Sequence, residues 1–300
     1  MISSFVFNLI FSLIFGLSFG NTPLITNHEA LVISPKDGVL DAPWDDQAAK
    51  RAAVLSADGN FFLFSRQADE VQPIASISKL MTALVFVELG PDWEEIYEIG
   101  PEDSVAGGRV NLFLGEKLSL KDLFLTSLIA SDNGAAKALV NASGLSEEEF
   151  VARMNDRARR LGLSRTRFVD PIGLSTGNLS TAREVAFLAR EAWLVPEIRA
   201  ASASQTYEFT TLNGREKKIE STDYLLFLEE IEVLGGKTGY TEEAGYCYVG
   251  YLRSPEGRAV ISVVLGASGR NERFQVSRDL ANWAFNSYDW QGRPISKEKR

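Results

Sequence analysis

The sequence predicts a mixed α/β fold, in which an antiparallel sheet built from N- and C-terminal segments is flanked by helices and accompanied by an all-helical lobe. Strand-like patterns occur early and return late, helical patterns fill the middle, and the strands are joined by hairpin signals. Hairpins favour an antiparallel sheet, because parallel strands need long crossover connections. A cleft is expected between the sheet and the lobe, where small-molecule sites tend to occur.

The elements follow in chain order. Two apolar runs, residues 52–56 and 61–65, flank Asp58-Gly59, which is a strong hairpin signal. Segments with apolar residues at helical spacing follow, and residues typical of helix starts and helix ends separate them. The C-terminal part of the chain then returns to continuous apolar runs. Helices are predicted over residues 76–89, 119–131, 146–162, 180–194 and 272–285, and late strands over residues 244–253 and 259–267.

The domain organisation predicted from composition is one main domain with short extensions. The first 20 residues contain no charged side chain and end in small residues, which predicts a signal peptide over 1–20 and an exported protein. A retained membrane anchor and a buried element of the fold are the alternatives. Residues 21–48 are interpreted as a leader or linker, residues 49–290 as the main folded domain and residues 291–300 as a tail.

Composition excludes several classes of function. The net charge of −9 argues against nucleic-acid binding. A single cysteine, Cys247, allows no intramolecular disulfide and is interpreted as part of the core. One histidine and one cysteine cannot supply a usual zinc site or a histidine-based triad, so no metal and no cofactor is expected.

Ser76 and Lys79 are a candidate nucleophile and base, because residues three apart share a helix face. A serine hydroxyl becomes a good nucleophile only when a neighbour takes its proton. Lysine can do so once burial or a nearby cation lowers its pKa. Taken alone the pattern is weak, since Ser296 and Lys299 fit it as well.

Two further motifs make the pattern specific. "SDN", Ser131 to Asn133, is predicted in a turn between helices, and "KTG", Lys237 to Gly239, at the start of a returning strand. Each alone has an ordinary structural interpretation as a turn or a strand entry. Together and in this order, S-x-x-K, S-D-N and K-T-G form the pattern of penicillin-binding proteins and active-site serine β-lactamases.

The chain therefore resembles the low-molecular-mass penicillin-binding proteins, which are serine D-alanyl-D-alanine carboxypeptidases and D,D-endopeptidases with a β-lactamase/transpeptidase-like fold. The similar stretches include "ASISKLMTALV", "GGRVNLFLGE", "FVDPIGLSTGNLSTARE" and "KTGYTEEAGYCYV". The carboxypeptidases often carry an arginine soon after the final strand. Arg270 and Arg273 lie near that position in "GASGRNER".

The resemblance implies acyl transfer on peptidoglycan stem peptides, with β-lactams as covalent inhibitors and no membrane partner unless the N-terminal segment is retained. It assigns catalysis to the serines and lysine of the first two motifs, substrate binding to Asn133 and the third motif, and the oxyanion hole to two backbone N–H groups. Asp132 is expected to brace its turn. The residues are Ser76, Lys79 and Ser131 for catalysis, Asn133, Lys237, Thr238 and Gly239 for substrate binding, and Ser76 with Tyr240 for the oxyanion hole.

Two alternatives share this fold. A serine β-lactamase would need a water-activating group, for which Glu184 and Glu191 are candidates by sequence region. A non-catalytic wall-binding protein would keep the fold without the chemistry, although every motif side chain is present. The protein is expected to be exported to the periplasm or to the outer face of the cell membrane.

Overall fold

A computed structural model describes residues 32–39, 41–58 and 61–291 of the 300-residue chain. The predicted signal peptide and residues 292–300 of the predicted tail lie outside the described residues. Within the described part, none of the helices combines the length and the apolar character that a membrane span requires.

A five-stranded antiparallel sheet forms the centre of the fold, and its strand order is β10-β11-β12-β2-β3. Neighbouring strands are hydrogen-bonded antiparallel throughout, so strands from both ends of the described chain share one sheet. β10 is an edge strand. The sheet strands are β2 (Arg51–Ser56), β3 (Phe62–Arg66), β10 (Glu232–Thr241), β11 (Gly245–Arg253) and β12 (Ala259–Ala267).

The remaining strands form two-stranded ladders, and the helices divide between a lobe and the two faces of the sheet. The ladders are β1 (Val32–Pro35) with β13 (Tyr288–Gln291), β4 (Gln72–Pro73) with β7 (Leu179–Ser180), β5 (Ile96–Glu98) with β6 (Lys117–Ser119), and β8 (Thr206–Thr210) with β9 (Glu216–Glu220). The helices are α1 (Lys79–Glu88), α2 (Leu120–Ile129), α3 (Asn133–Ala142), α4 (Glu147–Arg160), α5 (Ala182–Leu194), α6 (Pro196–Ser202) and α7 (Glu272–Ser287), with 3₁₀ helices at Ala75–Ser78, Pro101–Asp103 and Tyr224–Phe227.

Side-chain alternation along β2 separates two cores, one on each face of the sheet. Ala53 and Leu55 join a core with α1 to α6, whereas Ala52 and Val54 join a core with α7. Successive side chains of a strand point to opposite faces, so a strand that is apolar throughout is buried on both. The predicted antiparallel sheet with a helical lobe is confirmed.

The sequence prediction misplaced or missed several elements. Residues 32–35, inside the predicted leader, form β1 and pair with β13. The predictions included neither α3, α6 nor the short ladders β4–β7 and β5–β6. They also missed the β8–β9 hairpin, although Asn213-Gly214 between its strands is a hairpin signal. The third motif, Lys237 to Gly239, lies within β10 rather than at its start.

Candidate active site

The predicted nucleophile lies in a 3₁₀ turn, Ala75–Ser78, just ahead of α1. The preceding residue, Ala75, has φ +50°, a left-handed conformation that costs an alanine about 1–2 kcal/mol. Gly173 packs on this turn so closely that a Cβ there would lie 2.2 Å from the Ala75 carbonyl oxygen. The turn therefore carries backbone strain that the surrounding loop maintains, as is common at functional sites.

Lys79 lies one turn along and is buried, with 1% of its surface exposed. Its Nζ donates to Ser76 Oγ at 2.9 Å, to Asn133 Oδ1 at 2.8 Å and to the Ile172 carbonyl oxygen at 2.7 Å. Burial lowers the pKa of Lys79 to about 7, and the charges of Asp132 and Asp170 oppose the shift. The amine is therefore a base of suitable strength in contact with the hydroxyl.

The second motif spans the turn between α2 and α3 and the first residue of α3. Ser131 has φ +55°, and its Oγ accepts from Lys237 Nζ at 2.6 Å. Asn133 Nδ2 donates to the Gly107 carbonyl oxygen at 3.0 Å, and Asn133 Oδ1 accepts from Lys79 Nζ. This turn thus brings the first and third motifs into contact with the second.

Asp132 braces the same turn. It is the N-cap of α3, and its Oδ1 accepts from Ala135 N at 2.8 Å. Its Oδ2 accepts from the backbone and side-chain nitrogens of Asn111, at 3.0 and 2.8 Å. All of these bonds hold backbone or loop groups, which agrees with the structural role expected for this residue.

The third motif runs along the edge strand β10, against the nucleophile turn. A Cβ added to Gly239 would lie 2.9 Å from the Ile74 carbonyl oxygen and 3.1 Å from Ser76 N, so only glycine allows this approach. Thr238 Oγ1 shares a 2.6 Å hydrogen bond with Thr222 Oγ1. Tyr240 is 52% exposed and stacks on Tyr246 at 4.3 Å.

Lys237 is a second buried cation, with 1% of its surface exposed. Besides Ser131, its Nζ reaches the Thr238 carbonyl oxygen at 2.9 Å. Burial, with the like charges of Lys79 and Arg273, lowers the pKa of Lys237 well below its usual value, whereas Asp223 raises it. Two amines in one site disfavour each other's protonation, and the charge of Lys79 accordingly contributes to the low pKa of Lys237.

One side of the site was not foreseen from the sequence: the loop of residues 167–180 that supplies the Ile172 carbonyl. Asp170 shapes it by accepting backbone N–H groups of Ile172 at 2.7 Å and Ser175 at 2.7 Å. Asn178 Oδ1 accepts from Val169 N at 2.8 Å. The Asp-Pro pair and the glycines of this stretch predict a turn, but no local feature of the sequence predicts that its carbonyl oxygen contacts Lys79.

The two glutamates considered for water activation are engaged elsewhere. Glu184 accepts from Arg165 N at 3.0 Å and from Thr166 Oγ1 at 2.6 Å. Glu191 pairs with Arg190 at 3.0 Å. Neither contact involves a motif residue, so neither supports the β-lactamase alternative.

Comparison with known proteins identifies the family. The family model described as D-alanyl-D-alanine carboxypeptidase, Peptidase_S11, matches residues 39–269. The chain belongs to this family. The predicted resemblance and the predicted enzyme class, a serine-type D-Ala-D-Ala peptidase, are therefore confirmed.

Individual family members show the same likeness. The D-alanyl-D-alanine endopeptidase of Escherichia coli K12 is 32% identical over 240 residues, which cover 79% of this chain and 77% of that protein. D-alanyl-D-alanine carboxypeptidase DacF of Bacillus subtilis is 31% identical over 250 residues, or 80% of this chain and 63% of that protein. Penicillin-binding protein D2 of Listeria monocytogenes, solved in a cefotaxime-bound form, is 33% identical with a TM-score of 0.70 and covers 81% and 99% of the two chains.

Proposed function

We propose that this protein cleaves the peptide bond after a D-alanine in peptidoglycan stem peptides, through an acyl-enzyme on Ser76. The observation that carries the proposal is the contact between Ser76 Oγ and the buried Lys79 amine at 2.9 Å, with a pKa of about 7 for that amine. A neutral amine at this distance can accept the hydroxyl proton as the ester bond forms.

In the acylation step Ser76 Oγ bonds to the carbonyl carbon, and its proton passes to Lys79 Nζ. The carbon–nitrogen bond then breaks, and the proton reaches the departing amine by way of Ser131. Water later hydrolyses the ester and restores Ser76. The contact of Lys237 with Ser131 at 2.6 Å supports this route, because it fixes the position of the Ser131 hydroxyl in the site.

Substrate binding is assigned to the edge of β10 and to Asn133. An extended peptide can add to an open sheet edge by main-chain hydrogen bonds. The backbone N–H groups of Ser76 and Tyr240 would hold the oxyanion, and each such donor is worth about 3–4 kcal/mol. Lys237 and Thr238 would attract the substrate carboxylate, and the Asn133 amide would hold the peptide.

Labelling with a fluorescent penicillin tests the proposal. We expect one label per molecule and an intact-mass increase of one β-lactam, both absent in Ser76→Ala. Ser127→Ala is the matched control, since that buried hydroxyl bonds only to Phe124 O of its own helix in the described structure and should label normally. Absence of labelling in the folded protein, or persistence of the label in Ser76→Ala, contradicts the proposal.

A separate measurement shows which groups can flank the cleaved bond. Incubation with a pentapeptide and with a cross-linked dimer, followed by mass spectrometry, reports release of a terminal D-alanine or separation of the dimer. The same acyl-enzyme serves both reactions, because the attacked carbonyl follows a D-alanine in each. We further propose that the protein acts after export, since peptidoglycan lies outside the cytoplasmic membrane.

A further inference from the structure

Arg273 is a buried cation beneath the hairpin of β10 and β11, in the first turn of α7. Its Nη1 donates to the Gly239 carbonyl oxygen at 3.1 Å and to the Cys247 carbonyl oxygen at 3.4 Å. Its Nε is buried without a hydrogen-bond partner, and no carboxylate of the described residues forms an ion pair with it. Its guanidinium also lies 4.6 Å from the centre of the Phe274 ring.

Such an arrangement is costly for stability alone. A buried charge is usually paired with an opposite charge and fully hydrogen-bonded, whereas this guanidinium leaves one nitrogen unsatisfied and is held by carbonyl dipoles and a ring face. Burial lowers its pKa only to about 10, so it stays charged at neutral pH. Departures of this kind in native proteins tend to occur at functional sites.

The carbonyl that Arg273 binds belongs to the peptide group that joins Gly239 to Tyr240. In a planar trans peptide the C=O and the following N–H point in opposite directions. Gly239 and Cys247 are directly opposed in the β10–β11 ladder, and their carbonyl oxygens converge on the same Arg273 Nη1, so both carbonyls lie between the two strands and the Gly239 carbonyl faces β11. The Tyr240 N–H therefore faces the open edge of β10, on the side where Gly239 approaches Ser76.

We propose that Arg273 is the positioning residue of the oxyanion hole. Its guanidinium fixes the plane of the Gly239–Tyr240 peptide group and polarises it, so that the Tyr240 N–H is a stronger hydrogen-bond donor that already points towards the oxyanion. This rests on the proposed function, which assigns that N–H to the oxyanion. A charged donor at one end of a peptide group strengthens the hydrogen bond at the other. Pre-aimed donors need no reorganisation as the negative charge develops.

Arg273 is one of two arginines near the position at which the carboxypeptidases often carry one after the final strand. Its hydrogen bonds in the structure go to backbone carbonyls of β10 and β11. Arg270 is exposed on the connection before α7. Arg273 thus acts on the substrate through the strand.

Rapid kinetics of β-lactam acylation test the proposal with Arg273→Gln and Arg273→Lys. We expect the first-order acylation rate to fall about tenfold or more in Arg273→Gln, below the roughly 10²–10³-fold loss that removal of an oxyanion donor causes. The dissociation constant of the complex before acylation should stay unchanged. Arg273→Lys should recover part of the rate, because it keeps the charge without the planar fork.

The pH profile separates this role from simple support of the fold. The pKa of Lys79 depends on burial and on the charges of Asp132 and Asp170, so the acid limb of the acylation rate should keep its position in Arg273→Gln and Arg273→Lys while the plateau rate falls in Arg273→Gln. A variant that disturbs the packing of the site would instead expose Lys79 and move this limb towards the usual lysine pKa.

Arg278→Gln is the matched control, because Arg278 lies on the same helix and pairs with Glu230 and Asp279 at the surface. Its acylation rate should equal that of the native protein. A native acylation rate in folded Arg273→Gln would overturn the proposal. Failure of the proposed function is a different result, since the native protein itself would then not be acylated.

If neither Arg273 variant folds, the native acyl-enzyme decides. A crystal structure of the β-lactam adduct should show Arg273 Nη1 still bound to the Gly239 carbonyl. The carbonyl oxygen of the ester should lie within hydrogen-bond distance of Tyr240 N. An ester oxygen bound elsewhere, or a Gly239 carbonyl released by Arg273, contradicts the proposal.

Discussion

Lys79 shows how one residue acquires its function from its surroundings. In water a lysine amine is protonated at neutral pH and cannot accept a proton. Here burial brings its pKa to about 7, and three acceptors hold the amine beside Ser76. The charges of Asp132 and Asp170 limit the shift. The result is a base that is half neutral at physiological pH.

The pH dependence of acylation follows from this pKa. Only neutral Lys79 can take the proton of Ser76, so the acylation rate should rise about tenfold per pH unit below pH 7 and level off above it. Stopped-flow acylation by a β-lactam over about two units on either side measures this. Lys79→Arg should remain charged throughout and lose acylation. An acid limb near the usual lysine pKa of about 10.4 would contradict the assignment.

At the scale of elements, the site depends on how closely β10 lies against the nucleophile turn. The 3₁₀ turn sets Ser76 out from α1, and Gly239 lets the strand approach without a side chain between them. The loop of residues 167–180 closes the other side with the Ile172 carbonyl. Three separate elements therefore fix one hydroxyl.

Gly239→Ala should separate β10 from this turn. The added Cβ would lie 2.9 Å from the Ile74 carbonyl oxygen and 3.1 Å from Ser76 N, both of which are backbone atoms that cannot rotate away. We expect the acylation rate to fall by roughly 10²-fold, the cost of misplacing a reacting group by about 1 Å. Penicillin labelling kinetics measure the loss.

Gly269→Ala is the matched control for that substitution. Its added Cβ would meet the Glu272 carboxyl group, which is the far end of a flexible side chain and can move. Its acylation rate should therefore equal that of the native protein. A normal rate in Gly239→Ala would show that β10 does not need this close approach.

At the scale of the whole molecule, the sheet separates two cores, and the site lies at its β10 edge. β1 pairs with β13, so the two ends of the described chain meet. Cys247 lies on β11 of the central sheet, and its side chain is fully buried. It forms part of the core that includes α1 to α6, as the sequence predicted.

Cys247 can therefore report global unfolding. Burial raises the pKa of its thiol to about 11, and only the thiolate reacts with disulfide reagents. In native buffer the protein should not react with 5,5′-dithiobis(2-nitrobenzoate), and in urea the labelled fraction should follow the loss of circular dichroism. Cys247→Ala should stay unlabelled at every urea concentration. Labelling of the native protein at the rate of a free thiol would mean that β11 opens locally.

The sequence by itself determined the strands of the central sheet, five of the helices, the order of these elements and the three motifs. Helical periodicity with capping signals placed α2 and α4, and both capping boxes, Ser119 with Asp122 and Ser146 with Glu149, are present. Apolar runs and turn residues placed β2, β3, β11 and β12. These signals are local, since they depend on residues a few positions apart.

Only the tertiary structure decided which groups meet. Lys79 donates to the Ile172 carbonyl across 93 positions, Lys237 donates to Ser131 across 106, and Arg273 donates to the Gly239 carbonyl across 34. The pattern of side chains along the sequence does not predict which backbone carbonyl a side chain will bind. It also does not predict the pKa of a lysine when that pKa depends on burial. The motifs therefore identified the chemistry, while packing of the sheet against the lobe placed its atoms and set its protonation.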